Sequence, residues 1–191
     1  MKKIILSITA LTVLTASAFA DSSLYTSYQM GASGSSKDND FVGNGGFKHS
    51  VDFGYSLDSL RTGLNLSFIP SEKEQSVGIF VEKDVLTKEK GSVYLRGILE
   101  CGIQDKSSVE TGGTALNGGG TTPITKHDFT SKPTFYGVGV GVGYNYHITK
   151  NVDAKIGYEF EVKDFDYKTK TESDSFNQYN HNIKLGLAYK F

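Results

Sequence analysis

The chain has 191 residues, with 20 basic and 21 acidic side chains and a formal charge of −1 at pH 7. That balance offers no electrostatic footprint for nucleic acid or an anionic polymer, so neither is expected as a partner. Cys101 is the single cysteine, which excludes an intrachain disulfide, while 22 Gly, 11 Tyr and 3 Pro suit a sheet protein.

Residues 1–20 read as a secretory signal. Lys2 and Lys3 give a basic start, Ile4 to Val13 is largely apolar, and Ala18-Phe19-Ala20 supplies a small-x-small cleavage pattern. Ser7, Thr9 and Thr12 interrupt the apolar stretch, which is too short to span a bilayer as a helix. Cleavage after Ala20 leaves a mature chain from Asp21, and the loss of two lysines takes the formal charge from −1 to −3. Residues 21–191 are expected to form one domain, with no later stretch apolar enough for a transmembrane helix.

Eight segments with a two-residue period follow, the signature of strands with two unlike faces. The first, about Ser23 to Gly31, puts Leu24, Thr26, Tyr28 and Met30 on one face. In the second, about Gly46 to Leu57, Phe47, Val51, Phe53, Tyr55 and Leu57 oppose Lys48, Ser50, Asp52, Gly54 and Ser56. A turn at Asp58-Ser59 leads to Leu60, Thr62, Leu64, Leu66 and Phe68, opposed to Arg61, Gly63, Asn65 and Ser67 and ended by Pro70. The fourth has the weakest pattern, with Val77, Ile79 and Val81 against Gly78, Phe80 and Glu82.

The fifth sets Val93, Leu95, Leu99, Cys101 and Ile103 against Tyr94, Arg96, Ile98, Glu100 and Gln104, which makes Cys101 a small apolar-face residue. In the sixth, Tyr136, Val138, Val140, Val142, Tyr144 and Tyr146 alternate with Gly137, Gly139, Gly141, Gly143, Asn145 and His147. The seventh places Val152, Ala154, Ile156, Tyr158, Phe160 and Val162 opposite Asp153, Lys155, Gly157, Glu159, Glu161 and Lys163. The eighth alternates Ile183, Leu185, Leu187, Tyr189 and Phe191 with Asn182, Lys184, Gly186, Ala188 and Lys190. Short turns are expected at Asp58-Ser59, near Lys83 to Gly91, and at Ile148 to Asn151. Longer connections are expected at Ala32 to Gly45, Asp105 to Pro133 and Asp164 to Gln178, with Pro70 to Gln75 as a short exception.

A closed barrel explains the even number and the alternation of short and long connections. The polar face carries Gly, Ser and Asn while the apolar face carries Tyr, Phe, Leu and Val. A narrow eight-stranded barrel fits the small residues inside and the bulky ones facing lipid. Tyr55, Tyr144, Tyr146, Tyr158 and Tyr189 are expected near strand ends, as an aromatic girdle at the membrane interface. The expected fold is thus all-β, an eight-stranded antiparallel up-and-down transmembrane β-barrel.

The terminal strand Ile183, Leu185, Leu187, Tyr189, Phe191 resembles the closing strand of bacterial outer-membrane barrels, and the whole of 21–191 is similar to the small OmpA-, OmpX- and opacity-protein-like barrels. The resemblance implies a bacterial outer-membrane location, outer-membrane lipid as surroundings, and a barrel-assembly machinery that reads those five residues during biogenesis. It also implies a monomer, and the soluble cell-wall-binding domain that follows some of these barrels is not expected after Phe191.

On the polar face, Asp52, Arg61, Glu82, Arg96, Glu100, Lys155, Glu159, Glu161, Lys163 and Lys184 carry both signs of charge, and a lumen network that fills the barrel is expected from them. Arg96 and Glu100, and Lys155 and Glu159, are near neighbours along one face. An enzyme is not expected. His181 is followed by Asn182 and Ile183 rather than by the Ser of the lipid-A deacylase pattern. His49 and Ser50 point to opposite faces, and His127-Asp128 has no second acidic pair. No metal-ligand spacing appears, and the glycines at 112–113 and 118–120 lack the Lys-Ser/Thr of a phosphate loop, so no cofactor is expected. The leading expectation is a structural or surface-interaction barrel whose loops meet an external ligand or host surface. A narrow porin-like path and a lipid-modifying enzyme are the alternatives.

Overall fold

The structure, a computed structural model, describes residues 23–37, 46–105, 108–111, 125–128, 132–168 and 173–191. The strands are β1 (Ser23–Lys37), β2 (Gly46–Leu57), β3 (Leu60–Ile69), β4 (Glu74–Lys88), β5 (Gly91–Gln104), β6 (Ser108–Thr111), β7 (Thr125–Asp128), β8 (Thr134–His147), β9 (Val152–Lys168) and β10 (Ser173–Lys190). Eight of them close a barrel in the order β1-β10-β9-β8-β5-β4-β3-β2, every pair antiparallel. β6 and β7 form a separate ribbon inside the β5–β8 connection. Closure comes from β1, which pairs with β2 on one side and β10 on the other.

The faces are sorted inside out relative to a water-soluble barrel. Outward positions such as Leu95, Leu99, Val140, Ile156 and Leu187 are exposed apolar side chains, whereas Lys48, Asp52, Glu82, Glu161 and Lys163 are buried. Apolar packing inside the lumen includes a small cluster of Tyr25, Phe80, Ile98 and Ala188. Among the described residues no helix is long and apolar enough to cross a membrane, and the crossing elements are the strands.

Four boundaries differ from the sequence expectation, each for a physical reason. The fourth connection is not Lys83 to Gly91. β4 continues through a bulge between Asp84 and Leu86, and only Glu89-Lys90 turn. Charged Lys83 and Asp84 look like turn residues, but a bulge lets the ladder continue past them. The Pro70 to Gln75 connection shortens to a 3-10 turn at Pro70–Glu72, with Lys73 in the left-handed region before β4 begins. β1 extends to Lys37, so Ser33 and Ser35 pair with Asn182 and Asn180 where a loop is expected. Most of Asp164 to Gln178 is likewise hairpin, because β9 reaches Lys168 and β10 begins at Ser173. Beyond the apolar band the outward face turns polar, as at Asp164 and Asp166, so the apolar-out pattern lapses while the backbone pairing continues.

Of the five expected girdle tyrosines, Tyr158 needs correction. It pairs with Val142 and Ile183 well inside the wall, and its hydroxyl lies 2.6 Å from His181 Nδ1. Tyr55, Tyr144, Tyr146 and Tyr189 do lie toward the short-turn end of their strands.

The glycine face of β8 makes room for its neighbours. A methyl group at Gly139 would sit 2.7 Å from Ile98 Cγ2 and 3.0 Å from Glu161 Cγ, and one at Gly143 would overlap the Tyr94 phenol. Bulky inward side chains of β5 and β9 thus lean over a strip that carries none. Gly97, by contrast, faces outward with nothing near its missing methyl.

These placements set three unequal substitutions. Val140→Arg puts a charge at a 61% exposed lipid-facing position and should cost roughly 2–4 kcal/mol near the midplane. Gly143→Ala should also destabilise, through Tyr94, while Gly97→Ala should be neutral or slightly stabilising. Urea titration of barrels folded in liposomes reads all three, and equal tolerance at Val140 and Gly97 would show that the faces are misassigned.

Candidate functional site

The lumen gathers charge from six strands into a continuous network. Toward the short-turn end, Arg61 pairs with Glu82 (2.7 Å) and Asp84, and Lys155 lies 2.8 Å from both oxygens of Glu82 and donates to the Tyr25 hydroxyl at 2.8 Å. The Lys155 ammonium also sits 4.7 Å from the Tyr94 ring centre. This supplies a face of negative potential to a cation cut off from water.

Arg96 forms the middle layer. Its Nη1 and Nη2 donate to the two oxygens of Asp52 at 3.0 and 2.9 Å, in the bidentate geometry suited to a planar guanidinium. It lies 3.1 Å from Glu159 and 3.4 Å from Glu82, and its guanidinium stacks 4.5 Å above the Phe80 ring. Asp52 also accepts from Ser27 (2.8 Å), Gln29 (3.1 Å) and Asn65 (2.7 Å), so its charge is shared among four donors.

Above that layer Lys48 pairs with Glu161, Lys184 with Glu159, and Lys163 with Glu74. Lys163 further contacts Glu100 at 3.2 Å and Glu161 at 3.4 Å, and Ser76 donates to Glu100 at 2.7 Å. Phe135 and Phe165, with ring centres 4.8 Å apart, are buried on the β8–β9 side of this layer.

The structure therefore places Asp52, Arg61, Glu82, Arg96, Glu100, Lys155, Glu159, Glu161 and Lys184 in the lumen, all buried. The pairing differs from the sequence neighbours. Arg96 does not bond Glu100, nor Lys155 Glu159; each reaches another strand instead, because residues four apart in a strand stand roughly 13 Å apart. Sequence reasoning missed Lys48, Glu74 and Asp84 as members. Lys48 stood on the polar face of the second segment and was recoverable by parity. Glu74 and Asp84 lay in stretches assigned to connections.

The other named residues lie elsewhere. Ile183, Leu185, Leu187, Tyr189 and Phe191 all face outward on the last strand or just beyond it, with Tyr189 and Phe191 edge to face at 4.7 Å and the Phe191 N–H donating to the Leu24 carbonyl at 2.9 Å. Ala18, Ala20 and Asp21 fall outside the described residues.

No arrangement for nucleophilic chemistry appears among the described side chains. His49 Nδ1 shares a hydrogen bond with Tyr28 (2.8 Å), and His147 Nδ1 lies 2.7 Å from Asp153 at the turn end. Ser27 and Ser76 bond the carboxylates of Asp52 and Glu100 directly. Among the described residues no group of His, Cys, Asp and Glu could hold a metal ion. What the arrangement does is fill the lumen and cancel its charge.

A family model described as an outer membrane protein beta-barrel domain matches residues 6–191. The solved structure of Neisserial surface protein A is similar at 23% identity and a TM-score of 0.60, over 88% of this chain and 97% of that one. The N-terminal β-barrel domain of Pseudomonas aeruginosa OprF shares 12% identity over 86% of this chain and 97% of its own, with a TM-score of 0.43. Ail, the attachment invasion locus protein of Yersinia pestis, shares 14% over 89% and 97%, with a TM-score of 0.44. No curated protein matches the chain.

Buried ion pairs are costly to break from one side. Arg96→Met leaves Asp52 without its bidentate partner and should destabilise the barrel by roughly 3–5 kcal/mol. Adding Asp52→Asn removes the orphaned charge and should recover a large share of that loss. Denaturant midpoints of the wild type and the two variants check this, and a double variant no better than Arg96→Met would refute the pairing.

Proposed function

From the premise that the chain belongs to the outer membrane protein β-barrel family, we propose that its barrel is a rigid, non-catalytic mount in the bacterial outer membrane. The mount holds loops that contact an external ligand or host surface. The observation that carries this reading is the lumen. Glu82, Glu161 and Lys163 are 0% exposed and bound to opposite walls, so the interior is committed to holding the wall together rather than to passing solutes.

The long β5–β8 connection is the contact surface. Its base is held by the Gln104 N–H to Pro133 carbonyl bond (2.9 Å), the Asp105 N–H to Lys73 carbonyl bond (3.0 Å) and the exposed Lys132–Asp105 pair (3.1 Å). Its charges, Asp105, Lys106, Glu110, Lys126, Asp128 and Lys132, are mixed, which suits a partner recognised by shape and hydrogen bonding over a strongly charged polymer. The β9–β10 hairpin carries a second presentation surface, with Asp164, Asp166, Ser175 and Asn177 exposed.

Export is assigned to residues 1–20, with cleavage between Ala20 and Asp21, and assembly to the Ile183, Leu185, Leu187, Tyr189, Phe191 face of β10. The folded protein works as a monomer in outer-membrane lipid.

Replacing residues 106–132 by a short Gly-Ser turn should leave a folded, heat-modifiable barrel and abolish its adhesion to host cells or matrix. Adhesion that survives both this change and shortening of the β9–β10 hairpin would move the function away from the loops. Phe191→Ala, in turn, should lower the amount of folded barrel in outer-membrane fractions while leaving signal processing intact. Unchanged folded levels would remove Phe191 from the assembly role.

A further inference from the structure

The short turns of the barrel are unlike one another. Outer-membrane barrels direct such turns to the periplasm, so this end meets the periplasmic leaflet. β2 and β3 are joined by a tight turn at Asp58-Ser59. The β4–β5 hairpin instead projects. β3 pairs with β4 only as far as Leu60 with Lys83, and the Asp84 N–H donates to the Ser59 carbonyl at 2.7 Å. β4 then continues to Lys88, paired with β5 alone.

The bulge between Asp84 and Leu86 changes what this hairpin shows to its surroundings. Val85 is left outside the pairing register, and both Val85 and Leu86 are exposed, Leu86 at 63%. Lys83, Lys88 and Lys90 surround them, all exposed and none ion-paired with a described residue. Of the carboxylates on the hairpin, Asp84 is taken by Arg61, which leaves Glu89 against three lysines. On the adjoining strand β8, the Tyr144 phenol leans over Gly91, where a methyl group would lie 2.4 Å from its hydroxyl. One stretch of the rim thus combines ammonium groups, a phenol hydroxyl and two exposed apolar side chains.

Exposed apolar side chains beside unpaired lysines suit a lipid–water boundary, where acyl chains meet the first and phosphates the second. An added peptide strand fits less well. The free edge of β4, Val85 to Lys88, is short, follows a bulge and ends in lysine, and each of these discourages strand pairing. A soluble anion, for its part, would leave Val85 and Leu86 in water. We propose that the tip of the β4–β5 hairpin docks the headgroup of an anionic phospholipid of the periplasmic leaflet. The phosphodiester meets Lys83, Lys88 and Lys90, while Val85 and Leu86 enter the upper acyl region. The site favours such lipid on one side of the barrel, because the β2–β3 turn offers Asp58 and no lysine. It is independent of what the loops contact.

The test uses the full-length mature barrel in phosphatidylcholine vesicles, with a trace of spin-labelled phosphatidylglycerol or spin-labelled phosphatidylcholine. At low salt the motionally restricted fraction should favour phosphatidylglycerol by about twofold or more, averaged over the lipid shell. Salt at about 1 M should remove the preference by screening. A heat-modifiable variant carrying Lys83→Gln, Lys88→Gln and Lys90→Gln should lose most of it, and the corresponding Lys→Arg variant should keep it. No preference in the wild type, or an undiminished one in the Gln variant, overturns the proposal. The chain has no tryptophan, so Leu86→Trp adds a single reporter of depth. Its fluorescence should be quenched by phospholipid brominated in the upper acyl chain. Quenching by aqueous acrylamide alone overturns the lipid site and leaves the lysines to a soluble anion.

Discussion

Everything in this protein depends on closing the sheet. A strand with an open edge in hydrocarbon would leave a row of backbone donors and acceptors without water, at a cost of several kcal/mol for each group. The continuous ladders of β1 with β2 and with β10 remove that edge. Closure fixes the rest. Eight strands define a narrow interior, the interior must be filled, and the outer face must dissolve in lipid.

Filling the interior with ions rather than apolar side chains has a consequence for the unfolded chain. Were both faces apolar, each strand would be a continuous hydrophobic run, prone to aggregate before closure. Alternating charge and Gly inside with Val, Leu and Tyr outside keeps every segment mixed. The charges become tolerable only after closure, when Lys155 meets Glu82 and Arg96 meets Asp52 across the lumen. A pair buried in this way is weak support for stability by itself, yet strict about geometry. Register slips of one residue would put lysines into lipid and leucines into the ion network, so the pattern penalises them heavily.

The faces were legible in the sequence because a period of two survives any uncertainty about where strands end. The β8 run from Tyr136 to His147 shows this best, with Gly inside and Val outside. Strand ends were less legible. Lipid demands apolar side chains only across its own thickness, so Ser33 to Lys37 and Asp164 to Lys168 pair without displaying the pattern. The bulge at Asp84 to Leu86 shifts the phase and hid the end of β4. Partner choice in the lumen was not legible at all. Membership follows from parity, but Lys48–Glu161 and Lys155–Glu82 join residues far apart in sequence, and their meeting depends on how the sheet closes.

The histidines show how the same physics separates structural polarity from chemistry. His49 and His181 stand on the outward face, where an unsatisfied imidazole nitrogen is expensive. Each is met by a tyrosine hydroxyl from the adjoining strand, Tyr28 for His49 and Tyr158 for His181, and Phe160 lies 5.1 Å from the His181 ring. Both hydroxyls are engaged with an imidazole on the outward, lipid-facing surface. The imidazoles therefore serve the wall. The wall and lumen satisfy their polar groups largely internally, and the β5–β8 connection is tied down at its base by backbone bonds at Gln104 and Asp105. On the proposed reading, recognition falls on the connections rather than on the barrel wall.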